Sequence, residues 1–429
     1  MIKKKKIRLL FLFFFSVQTA AQAQNISNLT IEECYTLARE NFPLIKKYDL
    51  VRKSSGFSLQ NASKLYLPQV AVSGQASYQS QTINFSEVIP SIPGVNFPTL
   101  SKDQYKIQAD ISQIIYDAGD INNQKASIRA NQAVQEQNIE MNLREVNDRV
   151  NQIYFAIILM DEQLKQNEIR KSELQSQLDK TLAALANGTS FRSNADQLKA
   201  ELINVDMNSI EFKANKQAYL KMLSIIIDKK VDSETKLQMP GEKIMSAEIN
   251  RPEIKFYDLQ KRLFDVEDKK LQSAFTPKVS AFFQGAYGRP TLNIIKNEFG
   301  PWFVIGLRLN WNLGSLYSLK NNRQSLHISR QSLEVDKEIF LYNTNLSLSQ
   351  QSGDIQKYKD LIEQDKMVIG LRESVKKSSL AQLENGVITV HEYISQLNSE
   401  NTSRQTLILH TIQLLQAEYK YNHISGSEN

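Results

Sequence analysis

Few residues in this chain have the type and spacing to do chemistry, and none completes a set. His391-Glu392 opens like the His-Glu-x-x-His helix of a zinc protease, where two imidazoles one turn apart hold the metal. The position where the second imidazole belongs is Ser395. His327, His410 and His423 have no Cys or carboxylate neighbours at metal-ligand spacing, and no Gly-rich phosphate loop occurs. The single cysteine, Cys34, cannot form an intramolecular disulfide, and it follows Glu32-Glu33 instead of the small residues of a lipidation site. It reads as a structural thiol, and the sequence predicts no catalytic residue, cofactor or metal. What remains is electrostatic: Asp196 and Glu392 stand eight and six residues past the pairs Asn187-Gly188 and Asn385-Gly386. An ordinary solvated helix face accounts for such carboxylates. Gathered in a narrow space they would attract cations.

The elements that position these residues come in two copies. Asn41-Phe42-Pro43-Leu44-Ile45-Lys46-Lys47-Tyr48-Asp49-Leu50 returns as Asn250-Arg251-Pro252-Glu253-Ile254-Lys255-Phe256-Tyr257-Asp258-Leu259, with seven of ten positions identical at an offset of 209. The same offset carries Pro68 onto Pro277, Val70 onto Val279, Gln75 onto Gln284 and Tyr78 onto Tyr287. Farther on, Leu182 to Gly188 reappears as Leu380 to Gly386 at an offset of 198, so the first copy carries 11 extra residues between these landmarks. The Pro-rich run over residues 90–98 is the expected place for them, as a longer loop.

Lys3 to Lys6 and Arg8, an apolar stretch from Leu9 to Phe15 and Ala21-Gln22-Ala23 make a secretory leader over residues 1–23. The formal charge of +6 arises mainly there; without the leader 47 Lys and Arg face 46 Asp and Glu. Near-neutrality and export remove a nucleic-acid role. No stretch approaches the roughly 20 apolar residues of a spanning helix, so any membrane insertion must use strands.

Two periodicities alternate. Leu143, Val146, Val150, Ile153, Ile157, Met160 and Leu164 step by three and four, the seam of a coiled coil. From Ala118 to Ala186 there is no proline, and Gly119 is the only glycine, which predicts a helix roughly 100 Å long. Val205, Phe212, Tyr219 and Ile226 repeat the seam after Asn187-Gly188. Ile355, Ile362 and Ile369 do so before Asn385-Gly386, and Leu407, Leu414 and Tyr421 after it. Each copy therefore predicts a long helical hairpin with a tight Asn-Gly tip. Period-two runs lie between: Val70 to Tyr78, Tyr105 to Ser112, Val279 to Tyr287 and Phe303 to Leu313, about ten residues each, as in a tilted transmembrane strand. A soluble hairpin with one buried face has the same pattern. Tyr78, Tyr287, Trp302 and Trp311 fall at or near strand ends, where membrane-interface aromatics sit. Four strands cannot close a membrane barrel, so a spanning role requires an oligomer.

In order and duplication the chain resembles the TolC-like outer-membrane efflux protein family. Leu29-Thr30-Ile31-Glu32-Glu33-Cys34-Tyr35-Thr36-Leu37-Ala38 with Asn41-Phe42-Pro43 is similar to the family's opening, Tyr66-Leu67-Pro68-Gln69-Val70 and Phe275-Thr276-Pro277-Lys278-Val279 to the start of its strand pairs, and Ile115-Tyr116-Asp117-Ala118-Gly119 to its helix restart. Leu313-Gly314-Ser315-Leu316 departs from that restart in the second copy. The resemblance implies an α+β membrane protein: a long α-helical coiled-coil barrel and a transmembrane β-barrel completed by trimerisation, from two structural repeats over 24–235 and 236–429. It implies an outer-membrane location with a periplasmic extension, and a passive conduit for efflux or type I secretion served by a periplasmic adaptor and an inner-membrane pump. Asn187, Gly188, Thr189, Asn385, Gly386 and Val387 become adaptor-docking tips, Asp196 and Glu392 a pore constriction, and Pro68 and Pro277 helix-to-strand transitions. A secreted or periplasmic coiled-coil structural protein and a periplasmic enzyme are the competing classes. The strand runs oppose the first, and the lack of a site opposes the second.

Overall fold

The computed structural model describes residues 28–83, 93–94, 99–246 and 248–427. The expected leader and most of the Pro-rich run at 90–98 lie outside the described residues. Helix α1 (Ile31–Asn41) starts at a capping box in which Thr30 Oγ1 accepts the Glu33 N–H at 3.2 Å and the Glu33 carboxylate accepts the Thr30 N–H at 3.1 Å. After a 3-10 turn at Pro43–Ile45 come α2 (Lys46–Lys64), β1 (Gln69–Tyr78), β2 (Asp103–Tyr116), α3 (Asp120–Ala186) and α4 (Arg192–Ile227). The order then repeats as α5 (Pro252–Ser273), β3 (Lys278–Arg289), β4 (Gly300–Asn310), α6 (Ser315–Glu384) and α7 (Val390–Ser425).

Helices α3 and α6 contain 67 and 70 residues, so each is about 100 Å long. No helix among the described residues is long and apolar enough to cross a membrane. The four strands form one antiparallel sheet in the order β1-β2-β3-β4. Because α2 and α5 lead into β1 and β3, and α3 and α6 leave β2 and β4, all four helices join the same end of the sheet. The opposite end carries the connections 79–102 and 290–299, and the first is the longer, where the extra residues of the first copy were expected.

The two copies restart their helices differently. At the start of α3, Ala118 and Gly119 take positive φ values of 56° and 80°, and the buried Asp117 carboxylate accepts the N–H groups of Gly119 at 3.0 Å and Ile121 at 2.8 Å. These bonds satisfy donors that the first helical turn leaves unpaired. At the start of α6, Gly314 has φ −61° and no side chain caps the helix; the Ser315 hydroxyl instead donates to the Asn312 carbonyl at 2.7 Å.

The main core lies midway along α3 and toward the C-terminal ends of α4 and α7, where these helices and α1 meet around Tyr154, Phe155, Leu223 and Ile412. The Tyr154 hydroxyl is 2.7 Å from the carbonyls of both Leu29 and Gln238, and Leu29 forms a parallel bridge with Leu237. The segment joining the two copies is thus stitched to the start of the first. Cys34 is fully buried here, and burial pushes its thiol up to about 12, as expected of a structural thiol. Of the first seam, Leu143 to Ile157 are buried, whereas Met160 and Leu164 are half-buried. Beyond them the interior turns polar before a second apolar cluster, around Leu174, Leu198 and Leu397, near the hairpin tips.

Candidate functional site: sheet faces and hairpin tips

Strand pairing sorts side chains onto two faces of opposite character. One face carries Val70 and Val72 on β1, Ile107 and Ile111 on β2, Phe283 and Tyr287 on β3, and Phe303, Ile305, Leu307 and Leu309 on β4, since Val70 pairs with Ile111, Ile111 with Phe283 and Phe283 with Ile305. Leu307 is 70% exposed and Val72 equally so. The other face carries Gln75, Gln108, Asp110, Gln284 and Arg308, with Asp110 accepting amide N–H groups from Gln108 and Gln284 at 2.6 Å each. A continuous exposed apolar sheet face is far beyond what a water-facing surface carries. Both edges, β1 and β4, are unpaired among the described residues.

The aromatic residues expected at interfaces separate. Tyr78 and Tyr287 lie on the apolar face at the loop end of the sheet, where Phe299 stacks against both Tyr287 (6.2 Å) and Tyr105 (6.1 Å). Trp311 falls one residue beyond β4, which ends at Asn310 and not at Leu313, and its indole N–H donates to the Phe275 carbonyl at 2.8 Å. Trp302 departs from expectation. It pairs with Ala286 and is one residue out of phase with Phe303, so strand alternation puts it on the polar face. Tyr105, Tyr116 and Phe299 are also exposed at the two sheet ends and were not singled out from the sequence, Tyr116 and Phe299 because they fall outside the alternating runs.

Pro68 lies between Lys64 and Gln69, and Pro277 between Ser273 and Lys278. Proline restricts the residue before it to extended backbone, which stops the helix and starts the strand.

The two hairpin tips share one geometry. Gly188 (φ 75°) and Gly386 (φ 66°) are left-handed; the N–H of Thr189 reaches the Ala184 carbonyl at 2.9 Å, and that of Val387 the Gln382 carbonyl at 2.8 Å. This 6→1 bond, with the glycine N–H bonded to Leu185 or Leu383 at 3.0 Å, is a Schellman motif. Val387 and Phe191 project as the apolar groups of the tips, 71% and 77% exposed. Phe191 carried a sequence signal, an aromatic residue directly before a helix start, that reading the Asn-Gly pairs alone passed over. The Glu392 carboxylate turns back onto its own helix start, accepting the Thr389 N–H at 2.7 Å and the Thr389 hydroxyl at 3.0 Å. The Thr389 backbone bond, then the hydroxyl bond, holds its pKa below the usual range. Asp196 is flanked by Arg192 at 3.8 Å and Lys199 at 4.0 Å. The structure does not join the two carboxylates within one chain.

Between the tips and the main core, a polar layer connects the two hairpins. Buried Arg170 on α3 donates to Glu201 on α4 at 2.9 Å and to Asn398 on α7 at 2.6 Å. Lys376 on α6 bridges Glu173 on α3 at 2.8 Å and Glu400 on α7 at 3.4 Å, and Arg404 pairs with both Glu400 and Glu373. Nearer the tips, Lys180 meets Glu384 at 2.8 Å. Apolar stripes face outward elsewhere: Ile203, Met207 and Ile210 on α4, and Ile328, Val335, Ile339, Tyr342 and Leu346 on α6, at coiled-coil spacing. Among the described residues no group of three or more His, Cys, Asp or Glu could hold a metal ion.

No protein-family model and no curated protein sequence matches this chain. Solved structures do. The outer membrane channel CmeC of Campylobacter jejuni superimposes with a TM-score of 0.65 at 14% identity, over 93% of this chain and 86% of that one. The outer membrane protein VceC of Vibrio cholerae gives 0.66 at 12% identity, over 92% and 96%. The open state of the Neisseria gonorrhoeae outer membrane channel MtrE gives 0.64 at 12% identity, over 93% and 89%. The fold of this chain, across nearly its whole length, is that of the TolC-like outer-membrane channels.

Proposed function

We propose that this chain is one protomer of an outer-membrane channel that carries solutes passively from the periplasm to the exterior, as the outer component of an efflux or type I secretion system. The observation that carries the reading is the two-faced sheet with two open edges: an exposed apolar face suits lipid, a polar face suits a water-filled interior, and unpaired edges in lipid demand further strands. Three copies supply twelve strands, enough to close a barrel. The outward stripes on α4 and α6 supply the packing between protomers below it. The neighbours named as outer membrane channels favour the same assignment. In this reading residues 24–235 and 236–429 are two copies of one unit. The sheet crosses the outer membrane, and the helices reach into the periplasm.

The tips, at Asn187, Gly188, Thr189, Asn385, Gly386 and Val387, then face the inner membrane and take the helical hairpins of a periplasmic adaptor that couples them to a pump. Phe191 joins Val387 as an apolar anchor. Asp196 and Glu392 line the narrow end, though Arg192 and Lys199 offset the charge of Asp196 and the ionised Glu392 carboxylate is turned onto its own helix start. Membrane fractionation, chemical cross-linking and heat-sensitive gel migration test the assembly. A trimer in the outer-membrane fraction is the expected result, and a stable monomer there overturns it.

A further inference from the structure

Phe282 is an apolar residue on the polar face, and its surroundings explain why. It pairs with Gly306, where an added Cβ would lie 3.1 Å from the Phe282 ring, so the absence of a side chain lets the ring lie across β4. Above the ring sits the Arg308 guanidinium, 4.7 Å from the centroid. The stack holds an exposed cation on the polar face by cation–π attraction. Lys106 lies on the same face toward the loop end, and the only carboxylate there within the paired strands is Asp110. The outermost charges are paired elsewhere: Lys278 with Asp120 at 2.6 Å at the helical end, and Arg289 with Asp103 at 2.5 Å on the apolar face at the loop end. Two cations against one carboxylate leave each chain's polar face with a net positive charge.

We infer that the interior of the barrel is a cationic filter favouring small anions, with Arg308 and Lys106 setting the preference and Asp110 opposing it. This rests on the channel reading, in which threefold symmetry repeats each group as a ring. Rings of Arg and Lys concentrate anions in a water-filled pore as carboxylate rings concentrate cations. The sign is opposite to the one the tip carboxylates would impose, and it lies at the other end of the conduit.

The test is the reversal potential of purified full-length trimers in planar bilayers under a KCl gradient. A unit charge about 7 Å from a permeating ion in a water-like medium alters local ion occupancy by about threefold. Replacing both cations, as Arg308→Gln with Lys106→Gln, should therefore lower the chloride-to-potassium permeability ratio by about threefold or more. Asp110→Asn should raise it, and Arg308→Lys should leave it near wild type. Should Arg308→Gln impair assembly, Lys106→Gln and Asp110→Asn alone must still move the ratio in opposite directions. Trimers that conduct with unchanged ratios, or with both changes of the same sign, overturn the filter and leave the channel reading intact. Wild-type protein that forms no pore overturns both.

Discussion

Single residues in this chain serve structure first, and Glu392 illustrates how that constrains function. Its carboxylate satisfies the Thr389 N–H while the Thr389 hydroxyl satisfies the Glu392 N–H at 3.2 Å, so the two groups form one reciprocal unit at the start of α7. Removing the hydroxyl with Thr389→Ala should cost about 1 kcal/mol, seen as roughly fivefold faster amide exchange over the first turn. The double variant with Glu392→Ala should cost less than the sum of the two single changes, because each single change already breaks the reciprocity. Additive losses would separate the carboxylate from the cap. Arg308 contrasts with Glu392: its guanidinium is placed by an aromatic ring and leaves its charge exposed on the sheet surface.

At the scale of elements, the strands are defined by what they exclude. Leu307 of β4 pairs with Ala281 on the apolar face, flanked along that face by Ile305 and Leu309. A charge there must enter hydrocarbon or force β4 to slip by one residue, which would turn Arg308 to the apolar side and break its stack on Phe282 of β3. Leu307→Arg should destabilise the assembled barrel by roughly 2–4 kcal/mol per chain near the bilayer midplane, with loss of the heat-sensitive oligomer band as the measurement. Arg308→Leu, on the other face, should retain the oligomer. The helical hairpins follow a different rule. Their apolar clusters grip the core and the tips, while the Arg170 and Lys376 layer between them holds by directed bonds that must be broken together.

For the whole molecule, the segment between the two copies matters most. It crosses α7 at Glu418, a side chain only 2% exposed, whose carboxylate accepts the Lys243 N–H at 3.4 Å and lies 3.8 Å from Lys359. Burial raises its pKa above the usual range, ahead of the lowering by that backbone bond and Lys359. A carboxyl raised in the folded state adds stability below its unfolded value, and that contribution is lost as pH rises through the folded value. Charged Glu418 therefore weakens the fold at neutral pH. Glu418→Gln, which keeps an acceptor for Lys243, should raise Tm at pH 7 to 8, and the gain should vanish below about pH 4 in calorimetry. A gain that persists in acid would trace to packing.

The sequence by itself determined the duplicated order of elements, the long helices, the period-two strands, the Asn-Gly tips and the proline boundaries. Each of these is a local property: a seam every three or four residues, alternation of side chains, a left-handed glycine or a proline ring acts within a few residues of itself. The side occupied by Trp302 was legible too, from its phase against Phe303, although its residue type suggested an interface. Tertiary structure alone decided which groups from distant parts of the chain meet. It brought Arg308 over Phe282, Arg170 to Asn398 across the hairpins, and Leu29 beside Leu237. The capping of Glu392 on its own helix start is, by contrast, a local matter, written in the Thr389-x-x-Glu392 spacing three residues apart, because a capping box needs no partner that packing has to bring in.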